Sequence, residues 1–313
     1  MGIGPLVTAL ILVAVELAFS FDNAIINAKI LAKLSPFWQK LFLTVGIVIA
    51  IFGMRIIFPL LVVMVTAHLP WNIVTNLALH DPATYAQKLT LAHPAISAFG
   101  GSFLVMLALH FFIDDRREVL WIKQIEKPLM RFARWWVPAV ISLLLIGIFS
   151  IVPANHHGAE TIRFGLAGIV LYLAINLFTE WIGKFAGNNN VAHQTGMVAF
   201  LTFLYLEILD ASFSFDGVIG AFAITNDVVL IAVGLGIGAI WVRSLTVFMV
   251  RRGTLEAYIF LDHGAHYAVL ALATTMLISL LTEVPEYITG SLGLGLIGAS
   301  IIASRQALQA KHG

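Results

Sequence analysis

Two stretches far apart in the chain carry one pattern. Glu16-Leu-Ala-Phe-Ser20-Phe-Asp22-Asn23 returns as Asp210-Ala-Ser-Phe-Ser214-Phe-Asp216-Gly217. In both, Phe-Ser-Phe-Asp follows an earlier acid at the same spacing, inside an apolar run. A charged side chain at the centre of a membrane helix costs about 2.5–3.5 kcal/mol or more. Four carboxylates at matched positions therefore mark a polar site, and the remaining chain reads as its housing.

That housing is apolar. Of 313 residues, 60% are hydrophobic and 11% charged, against about 25% charged in a soluble domain. Such a chain belongs in a membrane, with lipids as its first partner. A net charge of +1 gives no reason to expect a nucleic acid, and the absence of cysteine excludes disulfides and thiolate ligands. The N-terminus lacks the basic region of a signal peptide, so the first apolar run is expected to be a true span.

A span needs about 20 apolar residues. Nine stretches qualify: roughly 4–32, 40–66, 95–113, 136–153, 162–183, 195–222, 228–250, 264–282 and 286–304. The expectation is an all-α polytopic bundle, residues 1–313 forming one integral membrane domain. Trp71, Trp181 and the Trp-Trp-Val-Pro run ending at Pro138 read as interfacial anchors, and Glu180 as interfacial. The glycines of the ninth stretch (Gly290, Gly293, Gly295, Gly298) suit either close helix packing or a tilted, weakly stable helix.

Basic residues set the orientation. Of the 18 Lys and Arg, only Lys88 and Arg163 lie in loops after even-numbered spans, and Arg55 and Arg243 lie within spans. The others, from Lys29 through Lys184 to Lys311, gather after odd-numbered spans or in the tail. The positive-inside rule then predicts an outside N-terminus and a cytoplasmic C-terminus in the cell (plasma or inner) membrane. Residues 114–135 are expected to hold a short amphipathic surface helix whose charges are topology signals. His68, His80, His93, His156 and His157 in the opposite loops read as solvated.

The repeat extends past the acids. Gly46 to Arg55 matches Gly234 to Arg243, nine residues in each. Each half thus has an acidic span followed by a span with one buried arginine. Spans one and six run in opposite directions on this count. The halves, roughly 1–113 and 195–304 and linked by spans at 136–183, therefore read as inverted repeats of the kind secondary transporters build around a midplane site.

Helical phase divides the polar residues. Glu16, Ser20, Asn23 and Asn27 share one face, as do Asp210, Ser214 and Gly217 with Glu207 a turn earlier. Asp22 and Asp216 fall about 120° away on unbroken helices. Either the helices unwind at Phe-Ser-Phe-Asp, or these aspartates face other neighbours, for which Arg55 and Arg243 are available. The preferred expectation combines both: Glu16, Asp210 and nearby Asn and Ser oxygens make the site, and Asp22 and Asp216 alternate between a cation and an arginine. Glu16, Asp22, Asn23, Asp210 and Asp216 are the candidate metal ligands. Ser20, Asn27, Glu207, Ser214, Arg55, Arg243, His263 and His266 are candidates for support.

Oxygen donors without thiolate suit a hard divalent ion such as Mn²⁺, Mg²⁺ or Ca²⁺. Five carboxylates against two arginines leave −3, compatible with a divalent cation plus protons. The plain alternative is that acids and arginines pair only to hold the bundle together. His263 and His266, three residues apart after Asp262, could share a metal or relay a proton; capping and interhelical hydrogen bonds are the preferred reading.

The two motifs, the arginine after each, and Asp262-His-Gly-Ala-His-Tyr267 together resemble the TerC/Alx family, within the lysine-exporter-like superfamily. The resemblance is closest to the branch described only as an integral membrane domain of unknown function. It implies export of a metal cation, Mn²⁺ foremost, as transported ion with no tightly bound cofactor. The second motif departs from the pattern, with Asp210 in place of a glutamate and Gly217 in place of the asparagine. Other readings are an amino-acid or organic-cation exporter, or a non-transporting scaffold in metal or tellurite stress. An intramembrane metalloenzyme lacks a nucleophile or an HExxH pattern here, so no enzymatic activity is expected.

Overall fold

The computed structural model describes residues 3–185, 195–225 and 227–312. The side chains of Glu180, Trp181, Lys184, Asp216 and Lys311 lie outside the described residues.

The described residues are all helical, without a strand. The helices are α1 (Ile3–Phe19), α2 (Phe21–Leu31), α3 (Pro36–Val48), a π-helical segment (Ile49–Ile57), α4 (Phe58–Thr66), α5 (Trp71–His80), α6 (Pro82–Ile113), α7 (Lys123–Met130) and α8 (Val137–Ile151). They continue with α9 (Gly158–Phe185), α10 (Gly196–Ile224), α11 (Val228–Arg252), α12 (Thr254–Ala257), α13 (Leu261–Ile278) and α14 (Glu286–His312). Among the described residues five helices are long and apolar enough to cross a membrane, or six if bent α1–α2 counts as one. Their outer faces carry large exposed apolar side chains, among them Leu10, Phe52, Val170 and Trp241. In water these would be costly; against lipid they are the expected surface.

Several boundaries depart from the sequence reading. The third span begins at Pro82, because Asp81 caps α6 by accepting from the Thr84 N–H at 3.2 Å and Pro82 occupies the first turn. Residues 71–80, expected as loop, form α5. The second span widens into π-helix around Arg55, a geometry frequent at functional sites. The segment 114–135 does contain a short amphipathic helix, α7.

Contacts fix helix directions around the centre. A Cβ on Gly234 would collide with Leu12, and one on Gly238 with Glu16. Both numbers rise together, so α1 and α11 run parallel in close contact. Asn23 meets Asp210, whereas Gly217 faces Glu16. One number rises as the other falls, so the two motif segments run antiparallel. The span from α3 to α4 is likewise antiparallel to α11, since Phe42 meets Arg243 and Ile51 meets Gly236.

Candidate functional site

The first motif breaks its helix and the second does not. Ser20 leaves helical geometry at φ −106°, ψ 11°, and α2 departs from α1 at 53°. The Ser20 hydroxyl donates to Glu16 Oε1 at 3.1 Å, which ties the two sides of the break. Asp22 is thereby placed in the first turn of α2, where its carboxylate accepts the Asn23 N–H at 2.9 Å. An acid at that position is favoured by the helix dipole. The α10 backbone continues through Ser214 and Asp216 without interruption.

Each arginine returns to the acids of its own half. Arg55 is buried and paired with Glu16, and it also donates to the Ala50 carbonyl at 2.6 Å. Arg243 donates to both oxygens of Glu207 at 2.8 Å and to Asp210 Oδ2 at 2.7 Å. Its guanidinium lies over the Phe42 ring at 4.4 Å. Gly46 makes this possible, since a Cβ there would collide with the guanidinium. Asn23 Nδ2 completes the cluster by donating to Asp210 Oδ1 at 2.8 Å.

This corrects the expected pairing. Glu16, Glu207 and Asp210 hold the arginines, and among the described residues Asp22 pairs with neither. The helical break turns Asp22 toward α10, α13 and α14, beside a cavity of about 30 Å³ lined by Ala18, Phe213, Gly217, Ala268 and Thr289. Among the described residues no group of three His, Asp or Glu side chains is placed to hold a metal ion. Asn23 Oδ1, Asn27 Oδ1 and Ser214 Oγ are buried and find no hydrogen-bond partner among those residues.

His263 and His266 belong to a second polar cluster that joins α2, α6, α7 and α13. His263 Nδ1 lies 3.0 Å from Glu126 Oε2, and Arg117 Nη1 donates to the same oxygen at 3.1 Å. His266 Nδ1 meets the Asp262 carbonyl at 2.8 Å, and its ring stacks on Phe111 at 3.7 Å. Asp262 also pairs with Lys29. Burial would push the Glu126 carboxyl up, but His263, the Ile122 N–H and Arg117 together hold it below its ordinary value of 4.5. Sequence reasoning treated Arg117 and Lys29 as topology charges and passed over Glu126. The available signal was one acid, Glu126, in the run 123–134, where every other charge is basic.

Comparison with known proteins places the chain. An uncharacterised membrane protein of Myxococcus xanthus, STKORF319, is 25% identical over 236 residues, 75% of this chain and 60% of that protein. The chain thus spans less than two thirds of that relative's length. No solved structure matches. A family model described as "Protein of unknown function (DUF475)" matches residues 21–311, from the second half of the first motif to the end of α14. The chain is therefore a membrane protein of the DUF475 family.

Proposed function

We propose that this protein is a secondary transporter that moves a divalent cation through the carboxylate cluster between α1–α2 and α10. The observation that carries the reading is the pair of buried amide oxygens at Asn23 and Asn27, without a hydrogen-bond partner among the described residues, on the face of α2 that meets Asp210. A buried acceptor without a donor costs about 1–3 kcal/mol. A cation entering at Asp210 would satisfy such oxygens and bring the hard-donor chemistry the residues supply.

Charge supports the same class. Glu16, Asp22, Glu207 and Asp210 against Arg55 and Arg243 leave −2 among the described side chains, the charge of one divalent cation or two protons. Exchange of the ion against protons follows as the coupling. The arginines hold Glu16 and Asp210 between transport events and release them to the ion. Mn²⁺ is the ion to which the TerC/Alx resemblance points. Size argues against lysine or another organic cation. The cavity at Asp22 has room for about one water, and the larger cavity that reaches Glu207 is apolar.

The topology is proposed with it: nine spans, an outside N-terminus, a cytoplasmic C-terminus and two inverted repeats. The antiparallel motif segments and the parallel packing of α1 on α11 support the repeats. Calorimetry of Mn²⁺ binding to purified protein, in buffers of different ionisation enthalpy, tests the reading. Binding with proton release, lost in Asp210→Asn, is expected; absence of binding for every divalent ion tried would leave a scaffold role.

A further inference from the structure

The break at Ser20 leaves backbone acceptors as well as turning a helix. The Ser20 N–H still closes on the Glu16 carbonyl, and α2 begins with the Ala24 N–H on the Ser20 carbonyl. Between them, among the described residues, no helical bond reaches the carbonyls of Leu17 or Ala18. The α1 helix therefore ends on oxygens without an i+4 partner, at the negative end of its dipole. Ala18 lines the cavity of about 30 Å³ that Asp22 faces.

Two side-chain oxygens reach the same cavity from different helices. Asp22 is buried, and among the described residues its carboxylate accepts the Asn23 N–H and pairs with no cation. Thr289 of α14 lines the opposite wall. The α13 threonines turn their hydroxyls back on their own backbone, Thr274 at 2.7 Å and Thr275 at 2.8 Å. The Thr289 hydroxyl makes no hydrogen bond among the described residues. Charge and size narrow the guest. A buried carboxylate without a counter-charge is costly. Asp22 is the one charged side chain among the described lining residues, so it balances a single positive charge and a divalent ion would leave one in excess. The volume holds about one water-sized body, too little for a hydrated or organic cation. Water fits but does not neutralise the acid; a proton neutralises it but leaves Thr289 and the α1 carbonyls without a partner. Carbonyls at the end of a half-helix, beside an acid, are the donors with which secondary transporters hold Na⁺.

We propose that this cavity is a second cation site, separate from the arginine-bound cluster at Asp210, which takes one hard monovalent cation between Asp22, the carbonyl end of α1 and the Thr289 hydroxyl. The bound ion ties the broken α1–α2 span to α14. The site is independent of whether a divalent ion is carried at Asp210.

Thermal unfolding of the purified chain tests it, with a chelator present so that no divalent ion contributes. Na⁺ is exchanged for N-methylglucamine at constant ionic strength. The wild-type transition should rise with Na⁺ and saturate, as for a ligand that binds the folded state alone. Asp22→Asn, which keeps the shape and removes the charge, should lose the rise. Thr289→Val should move half-saturation to about tenfold more Na⁺, and Thr289→Ser should restore it. A wild-type transition equal in both salts, or a rise unchanged in folded Asp22→Asn, would overturn the site. If Asp22→Asn does not fold, Thr289→Val decides: half-saturation at the wild-type concentration overturns it.

Discussion

At the scale of single residues, the centre of the bundle is held by buried charges that have committed partners. Removing one member of a buried ion pair leaves the other uncompensated and costs about 3–5 kcal/mol, whereas removing both can be nearly neutral. Arg55→Ala should therefore lower the melting temperature and yield sharply, and Arg55→Ala with Glu16→Gln should recover most of both. Recovery with Asp22→Asn instead would contradict the observed pairing. The sequence pattern identified Glu16 and Arg55 as belonging to the core, because charge in an apolar run is conspicuous. It could not match partners. Phase along a helix tells which residues share a face, but which neighbour crosses that face depends on the 53° bend at Ser20. Only the first motif bends, although both read Phe-Ser-Phe-Asp, so the bend is not legible in those four letters.

At the scale of helices, close approach and surface latches set the geometry. Gly238 lets α11 pack directly on Glu16 of α1. Gly238→Leu would force the two helices apart at the site. Overpacking of this kind typically costs 1–3 kcal/mol, and a thermal melt unchanged from wild type would contradict the contact. The α7 surface helix is pinned through Glu126, whose folded carboxyl value lies below its ordinary one. A depressed carboxylate contributes stability above its unfolded value, and that contribution is lost as pH falls through the folded value. The melting temperature should therefore drop as pH falls below about 4.5, and Glu126→Gln should flatten that drop. Equal slopes in both proteins would remove Glu126 from the latch. Most helices were legible from apolar run length. The start of α6 was missed because Gln87, Lys88 and His93 dilute hydropathy there, although Asp81-Pro82 is a readable start signal. The π-helical turn at Arg55 has no such signature, since it is set by what the arginine must reach.

At the scale of the molecule, α1–α2, the α3–α4 span, α10 and α11 together hold the arginine–carboxylate cluster. The motif segments lie antiparallel, and Gly217 faces Glu16 at the position corresponding to Asn23 against Asp210. The two halves therefore offer unequal carboxylates, one bridged by an amide and one facing a bare glycine. Membrane residence and a buried acidic centre were legible from composition and repetition. The ion was not, because oxygen donors on helices specify a class of cation and leave its radius to packing. The most direct measurement is flux into proteoliposomes of the purified chain under an imposed proton gradient, with Mn²⁺, Mg²⁺, Ca²⁺ and lysine compared. Uptake of a divalent ion driven by the gradient, absent in Asp210→Asn, is the expected result. No divalent flux from a folded wild type, or equal flux in Asp210→Asn, would contradict a transport path through the carboxylate cluster.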